Sequence, residues 1–200
     1  MTHPSESDSP SDQPLSLSEM ARLERDLTRD EVGLVLRDVP LIVLADDDEN
    51  MRVLAMDTLT SAYKKTGRVE GLSGDPENCF DAAIRLKQGN DLPVVLCEEG
   101  RQAREAVKTL CQRRISPGIL ALDENMIGPT GLEIFEEFHP SIPHGMARIL
   151  QTDTPPEDID TYLERGIIDV NPGKLDRDAL SPFVQAYLRR NHLADVLSEV

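Results

Sequence analysis

The sequence predicts an α/β domain built on a doubly wound, five-stranded parallel sheet. Three observations predict it. Short continuous apolar runs recur along the chain, as for strands buried on both faces. Amphipathic segments with helical spacing alternate with them. Acidic and hydroxyl residues stand directly after several of the apolar runs, where open parallel sheets bind ligands.

The predicted strands are 41–45 (LIVLA), 93–97 (PVVLC), 118–122 (GILAL), 147–150 (ARIL) and 167–170 (IIDV). Met51, Leu54, Ala55, Leu59 and Ala62 give the first intervening helix one apolar face, and Ala103, Ala106, Val107, Leu110 and Cys111 do the same for the second. Thr130-x-x-Glu133 is a capping box opening a third helix through Phe135 and Phe138, stopped by Pro140. Thr154-Pro155-Pro156-Glu157 reads as another box with proline at the first helical position. Its helix runs through Ile159, Tyr162 and Leu163 to Gly166. The last helix presents Leu180, Phe183, Val184, Tyr187 and Leu188, with Ser181 expected as N-cap and Pro182 next. Residues 66–92 exceed this plan. Asp75-Pro76 is a helix start, Phe80, Ala83 and Ile84 an apolar face, Gly89 a stop, and Val69 and Leu72 mark a short strand. The expectation is an extra helical or βα insertion, since a bare loop of that length is uncommon.

Ahead of the sheet lies an acidic extension, 1–39. Residues 1–14 carry too little apolar surface to fold. Residues 16–37 are expected to be helical, from Ser16-x-x-Glu19 and Thr28-x-x-Glu31, ending before Pro40. That helical piece is expected to pack on the main domain, with dimerisation the sharper alternative. The main domain is expected over 40–191 and a short tail over 192–200.

Composition narrows the function classes. The 200 residues carry a formal charge of −16, and the first fifty hold 13 acids and 4 bases. A nucleic-acid binder needs a basic face, so DNA is not an expected partner, nor is an anionic membrane surface. No signal sequence or long apolar span is visible, and the three cysteines form no ligand set, which reads as a cytoplasmic protein with reduced thiols. The four histidines are expected at the surface. No glycine-rich dinucleotide or P-loop motif occurs.

The predicted strand ends carry Asp46, Asp47, Asp48 and Glu49 after the first strand, Asp123 after the third, and Thr152 with Asp153 after the fourth; Lys174 follows the fifth. Carboxylates brought together repel by about 4 kcal/mol per pair at ~4 Å. A divalent cation relieves that, and an all-oxygen set suits Mg²⁺. A carboxylate beside Mg²⁺ can attack phosphorus, with a hydroxyl and an ammonium holding the transferred oxygens. Asp48 and Glu49 read more simply as charges at a helix N-terminus.

LIVLADDDENMRVL resembles the first strand and acidic turn of response-regulator receiver domains, and ALDENMIGPTGLEIF resembles their phosphoacceptor segment. ILQT, 149–152, and LERGIIDV–NPGKLDRDAL resemble the two later conserved stretches. The resemblance spans about residues 41–190 apart from 66–92. It implies a flavodoxin-like fold, Asp123 as phosphoacceptor and Mg²⁺ held by Asp46, Asp47, Asp123 and the Asn125 backbone carbonyl. It also implies Thr152 as a ligand of the phosphoryl group and Lys174 as a partner of the aspartate or of a phosphoryl oxygen. A sensor histidine kinase or histidine phosphotransfer protein would be the donor, and an unidentified output protein the receiver of the signal. The chain would be a signalling phosphoprotein rather than an enzyme, a possible homodimer, with at most self-phosphorylation and its reversal. Ile127, Asp153, Val170 and the Pro172-Gly173-Lys174 order depart from the family pattern. These departures keep open a receiver-like interaction module that works without phosphorylation. Asp46-x-Asp48, Thr152 and Lys174 also resemble, less well, the order in haloacid-dehalogenase-like phosphatases.

Overall fold

A computed structural model describes residues 27–63, 67–143, 145–173 and 180–191. Expectations for 1–26, for Lys174 and for the tail 192–200 lie outside the described residues. The elements in chain order are α1 (Arg29–Asp38), β1 (Ile42–Ala45), α2 (Glu49–Tyr63), β2 (Val69–Ser73), α3 (Pro76–Lys87), β3 (Leu92–Cys97) and α4 (Gly100–Arg113). There follow β4 (Ile119–Asp123), α5 (Gly131–Phe138), a 3-10 turn (His139–Ser141), β5 (Ala147–Gln151), α6 (Ile159–Glu164) and α7 (Leu180–Asn191).

The five strands are all parallel, in the order β2-β3-β1-β4-β5. Every residue of β1, β4 and β5 is buried, as the continuous apolar runs require. Side chains alternate between two cores. Ile42, Leu44, Ile119 and Ile149 face α1, α2 and α7. Val43, Leu120, Leu122 and Leu150 face α3, α4 and α5. This is a doubly wound, flavodoxin-like α/β fold. Helix α2 covers one face as the chain runs from β1 to the far edge. Helices α3, α4 and α5 cover the other face as it returns, which keeps each crossover right-handed.

Of the two forms expected for segment 66–92, helical or βα, residues 67–92 take the βα one. Strand β2 lies outside β3 at the sheet edge, with Glu70 and Gly71 exposed, a short polar edge that resists further pairing. Asp75 caps α3 through the Asn78 N–H, with Pro76 at the first turn. Ile84, expected on the apolar face, is 45% exposed.

The fifth predicted strand, 167–170, is not one. It contributes a single bridge, Ile149 to Val170. Helix α6 is closed by Gly166 at φ +64, and the N–H groups of Ile167 and Ile168 turn back to the Tyr162 carbonyl. Only Asp169 and Val170 are left to meet β5, through Asp169 N–H to Arg148 O and Leu150 N–H to Val170 O. Pro172, without an N–H, follows at once.

Three helix details differ from the sequence expectation. Helix α6 starts at Ile159, not after Thr154, because each residue before a proline is driven from helical geometry. Ser181 lies inside α7 rather than capping it; its Oγ accepts from Leu27 N–H and Gln185 Nε2, each at 2.9 Å. On α2, Ala55, Thr58, Leu59, Ala62 and Tyr63 are buried while Leu54 is exposed. The capping boxes at Thr28 and Thr130 form as expected. Helix α1 buries Val32, Val35 and Leu36 against the same core as α2 and α7, so its apolar face is used within the chain. Lys87 Nζ closes its end, donating to the Arg37 and Val39 carbonyls at 2.8 and 2.7 Å. Burial lowers the pKa of that ammonium.

Candidate functional site

The chain leaves β1 toward β2 and β3 on one side and later crosses to β4 and β5 on the other. The crevice between β1 and β4 at the carboxyl ends is therefore the switch point, the usual ligand position in such sheets. Register decides what stands there. Ala45 pairs with Leu122, so Asp46 stands level with Asp123, the last residue of β4. Asp123 pairs with Gln151, so Thr152 projects one residue beyond it on the neighbouring strand.

The carboxylates of Asp46, Asp47 and Asp123 each offer an oxygen within 4.8 Å of the others. Asp46 and Asp123 are 2% exposed, and Asp47 is half-buried. Each is locally positioned. Asp46 Oδ1 accepts the Asp48 N–H at 2.9 Å, and Asp46 N–H donates to the Cys97 carbonyl. Asp47 Oδ2 accepts the Ile127 N–H at 2.9 Å, tying the loop after β4 to the turn after β1. That loop is held from the other side by Gly100, whose N–H donates to the Ile127 carbonyl. A side chain at Gly100 would meet the Pro129 carbonyl oxygen at 2.0 Å, so the approach needs glycine.

Thr152 is buried, and its hydroxyl bonds the backbone of Thr154 in both directions at 3.2 Å. Asn125 Nδ2 donates to the same hydroxyl at 3.4 Å. Five expected site residues, Asp46, Asp47, Asp123, Asn125 and Thr152, thus gather at one crevice. Asp48 is not among them. Its carboxylate accepts the Asn50 N–H at 2.8 Å at the start of α2, the helix-end role expected of it.

Sequence reading missed some neighbours. Arg52 Nη1 donates to the Asp46 carbonyl at 2.6 Å from one turn into α2. Its signal was the position one helical turn after the acidic run. Glu124 accepts the Leu132 N–H at the start of α5, and burial raises its pKa. An open cleft of 470 Å³ lies beside Asp47, lined by Glu98, Glu99, Gln102 and Ile127. Ile127 is 71% exposed there. An edge this acidic repels a phosphate and attracts a divalent cation. The oxygen-only donor set suits a hard cation such as Mg²⁺.

No family model matches the chain, and no curated protein matches it. Among solved structures, the crystal structure of adenylate cyclase from Rhodopirellula baltica is similar at 16% identity and a TM-score of 0.47. The match covers 81% of this chain and 99% of that one. At that identity and score it carries nothing about function to this chain. Among the described residues no helix is long and apolar enough to cross a membrane.

Proposed function

We propose that this chain is a receiver-like phosphoacceptor that takes a phosphoryl group on Asp123 and signals through protein contacts. The observation that carries the reading is the convergence of Asp46, Asp47 and Asp123 within 4.8 Å at the switch point. Like charges at that spacing repel, and a bound divalent cation relieves the repulsion. Asp46, Asp47, Asp123 and the Asn125 carbonyl would hold Mg²⁺, which when bound supplies charge neutralisation for an incoming phosphoryl group.

The chain's own residues then act as follows. An Asp123 carboxylate oxygen attacks phosphorus, the O–P bond forms, and the bond to the donor nitrogen of a phosphohistidine breaks. The departing imidazole takes a proton from solvent. The Thr152 hydroxyl, now turned to the Thr154 backbone, swings to donate to a phosphoryl oxygen. Lys174 is assigned to another of those oxygens by its place in the chain. Donors of this chemistry are a sensor histidine kinase or a histidine phosphotransfer protein. Phosphorylation would turn the singly charged Asp123 carboxylate into an acyl phosphate of roughly −1.5 to −2, which would alter the surface after β5.

One second reading is favoured by a specific observation. The segment that would be the fifth receiver strand is thinned to a single bridge, with Val170 at the position where the receiver pattern has an aromatic. A receiver-like interaction module that works without phosphorylation would tolerate that loss. Beryllium trifluoride, a phosphoryl mimic, separates the readings. With Mg²⁺ it should give one bound fluorine signal by ¹⁹F NMR, absent in Asp123→Ala. A spectrum of free fluoride species alone, with the protein folded and Mg²⁺ present, would favour the second reading.

A further inference from the structure

We propose that a crevice on the far side of β5 from Thr152 is a binding site for a small anion, phosphate or carboxylate. The site is independent of the acidic crevice. It lies around Arg148, the second residue of β5, three residues or roughly 10 Å of strand from Gln151.

The side chain of Arg148 is 7% exposed, an expensive place for a guanidinium unless its donors are served. They are only partly served. Its Nη1 lies 2.9 Å from His139 Nδ1, which must accept, leaving the imidazole proton on Nε2. Its Nε is sealed from solvent, without a hydrogen-bond partner among the described residues, and is ion-paired with Asp169 Oδ2 at 3.6 Å. Asp169 is the buried carboxylate nearby, and others already occupy it. Its Oδ2 accepts the Arg148 backbone N–H at 2.7 Å. Its Oδ1 accepts from Arg190 Nε at 2.6 Å and pairs with Arg190 Nη2. One carboxylate thus serves two guanidiniums and a backbone amide.

Arg165 stands at the rim, 58% exposed, and meets Glu136 at 3.7 Å. Among the described residues three guanidiniums therefore face two carboxylates, a positive surplus in a chain of net charge −16. Burial and the neighbouring Arg148 and Arg165 push His139 below its ordinary pKa, which fits a positive local field. Between these groups lies a cavity of 390 Å³, and its remaining wall includes Pro140, Ile142 and Met146. That volume suits a small ligand, and the charged groups of Arg148, Arg165 and Arg190 line it. The guanidinium fork matches the oxygens of phosphate or carboxylate.

The test uses the full chain in EDTA, so that the acidic crevice holds no metal. Inorganic phosphate and acetate are titrated separately while the arginine Nε–Hε signals are followed by ¹⁵N NMR, with Arg148 assigned through Arg148→Lys. The expected result is a saturable shift of the Arg148 signal with at least one probe; which probe acts identifies the head group. Arg165→Gln, on the exposed rim, should weaken binding by roughly fivefold, the size of a rim charge contribution. Asp123→Ala should leave it unchanged. No saturable shift with either probe would overturn the proposal, as would binding lost in Asp123→Ala and kept in Arg165→Gln.

Discussion

Replacing Asp47 by asparagine should stabilise the metal-free protein and abolish its response to Mg²⁺. The three carboxylates approach within 4.8 Å. At that spacing each pair repels by about 3.5 kcal/mol at an effective dielectric of 20, and by about 0.9 in water. Asp47 is half-buried, so its two pairs lie toward the weaker limit, and removing its charge should relieve about 2 kcal/mol. Asparagine keeps an oxygen for the Ile127 N–H, so the loop contact at 2.9 Å survives. A gain of that size raises the melting temperature by roughly 4–8 °C for a chain of this length. Mg²⁺ at a hundredfold excess over its Kd should add about 2.7 kcal/mol to the wild type and little to the variant. Circular-dichroism melts in EDTA and in saturating MgCl₂, matched in ionic strength with NaCl, read both effects. A variant less stable than the wild type in EDTA would refute the repulsion argument. An equal Mg²⁺ shift in both proteins would refute the metal site.

Three further outcomes can be checked. Thr152→Ala should leave the Mg²⁺-induced stabilisation intact but slow phosphoryl labelling from acetyl phosphate by on the order of 10²-fold, the usual cost of removing one transition-state donor; an unchanged rate would remove Thr152 from the mechanism. Gly33→Ala should destabilise the fold by about 1–3 kcal/mol, because its methyl would sit 2.4 Å from the Ala62 backbone carbonyl where α1 crosses α2; an unmoved urea midpoint would mean that α1 does not pack there. Burial pushes the Cys97 thiol up to about 12 from an ordinary 9.0. The unfolded chain therefore ionises first, and the stability this thiol contributes is full below pH 9 and lost as pH rises toward 12. Cys97→Ala should flatten that alkaline limb in urea titrations, and an identical slope in both proteins would contradict the assignment.

Much of the fold was legible because burial on both faces leaves a plain trace. Leu41–Ala45, Pro93–Cys97 and Gly118–Leu122 read as continuous apolar runs, and all three became central strands. Ile167–Val170 has a similar trace, broken by Asp169, and misled. Ile167 and Ile168 pack beneath α6 while Val170 packs against the opposite core, and the N–H groups of Ile167 and Ile168 are spent on that helix end. Periodicity reports burial and is silent on where backbone donors go. The candidate acidic site was legible because parallel register brings strand ends level, so Asp46 and Asp123 had to meet once β1 and β4 were neighbours. The arginine crevice was not, since Arg148, Arg165, Arg190 and His139 come from four separate segments. One trace of it existed: Arg148 and Asp169 each interrupt a short apolar run with a charge, and the two are opposite in sign. His139, expected at the surface, is half-buried against Arg148 for the same reason.

The most direct measurement is phosphoryl labelling by acetyl phosphate, mapped to the residue by peptide mass spectrometry. A phosphoacceptor at the β1–β4 crevice predicts one acid-stable, base-labile adduct on the peptide containing Asp123. It should form in Mg²⁺, fail in EDTA and vanish in Asp123→Ala. No adduct on the folded, Mg²⁺-supplied protein, or one that persists in Asp123→Ala, would contradict it.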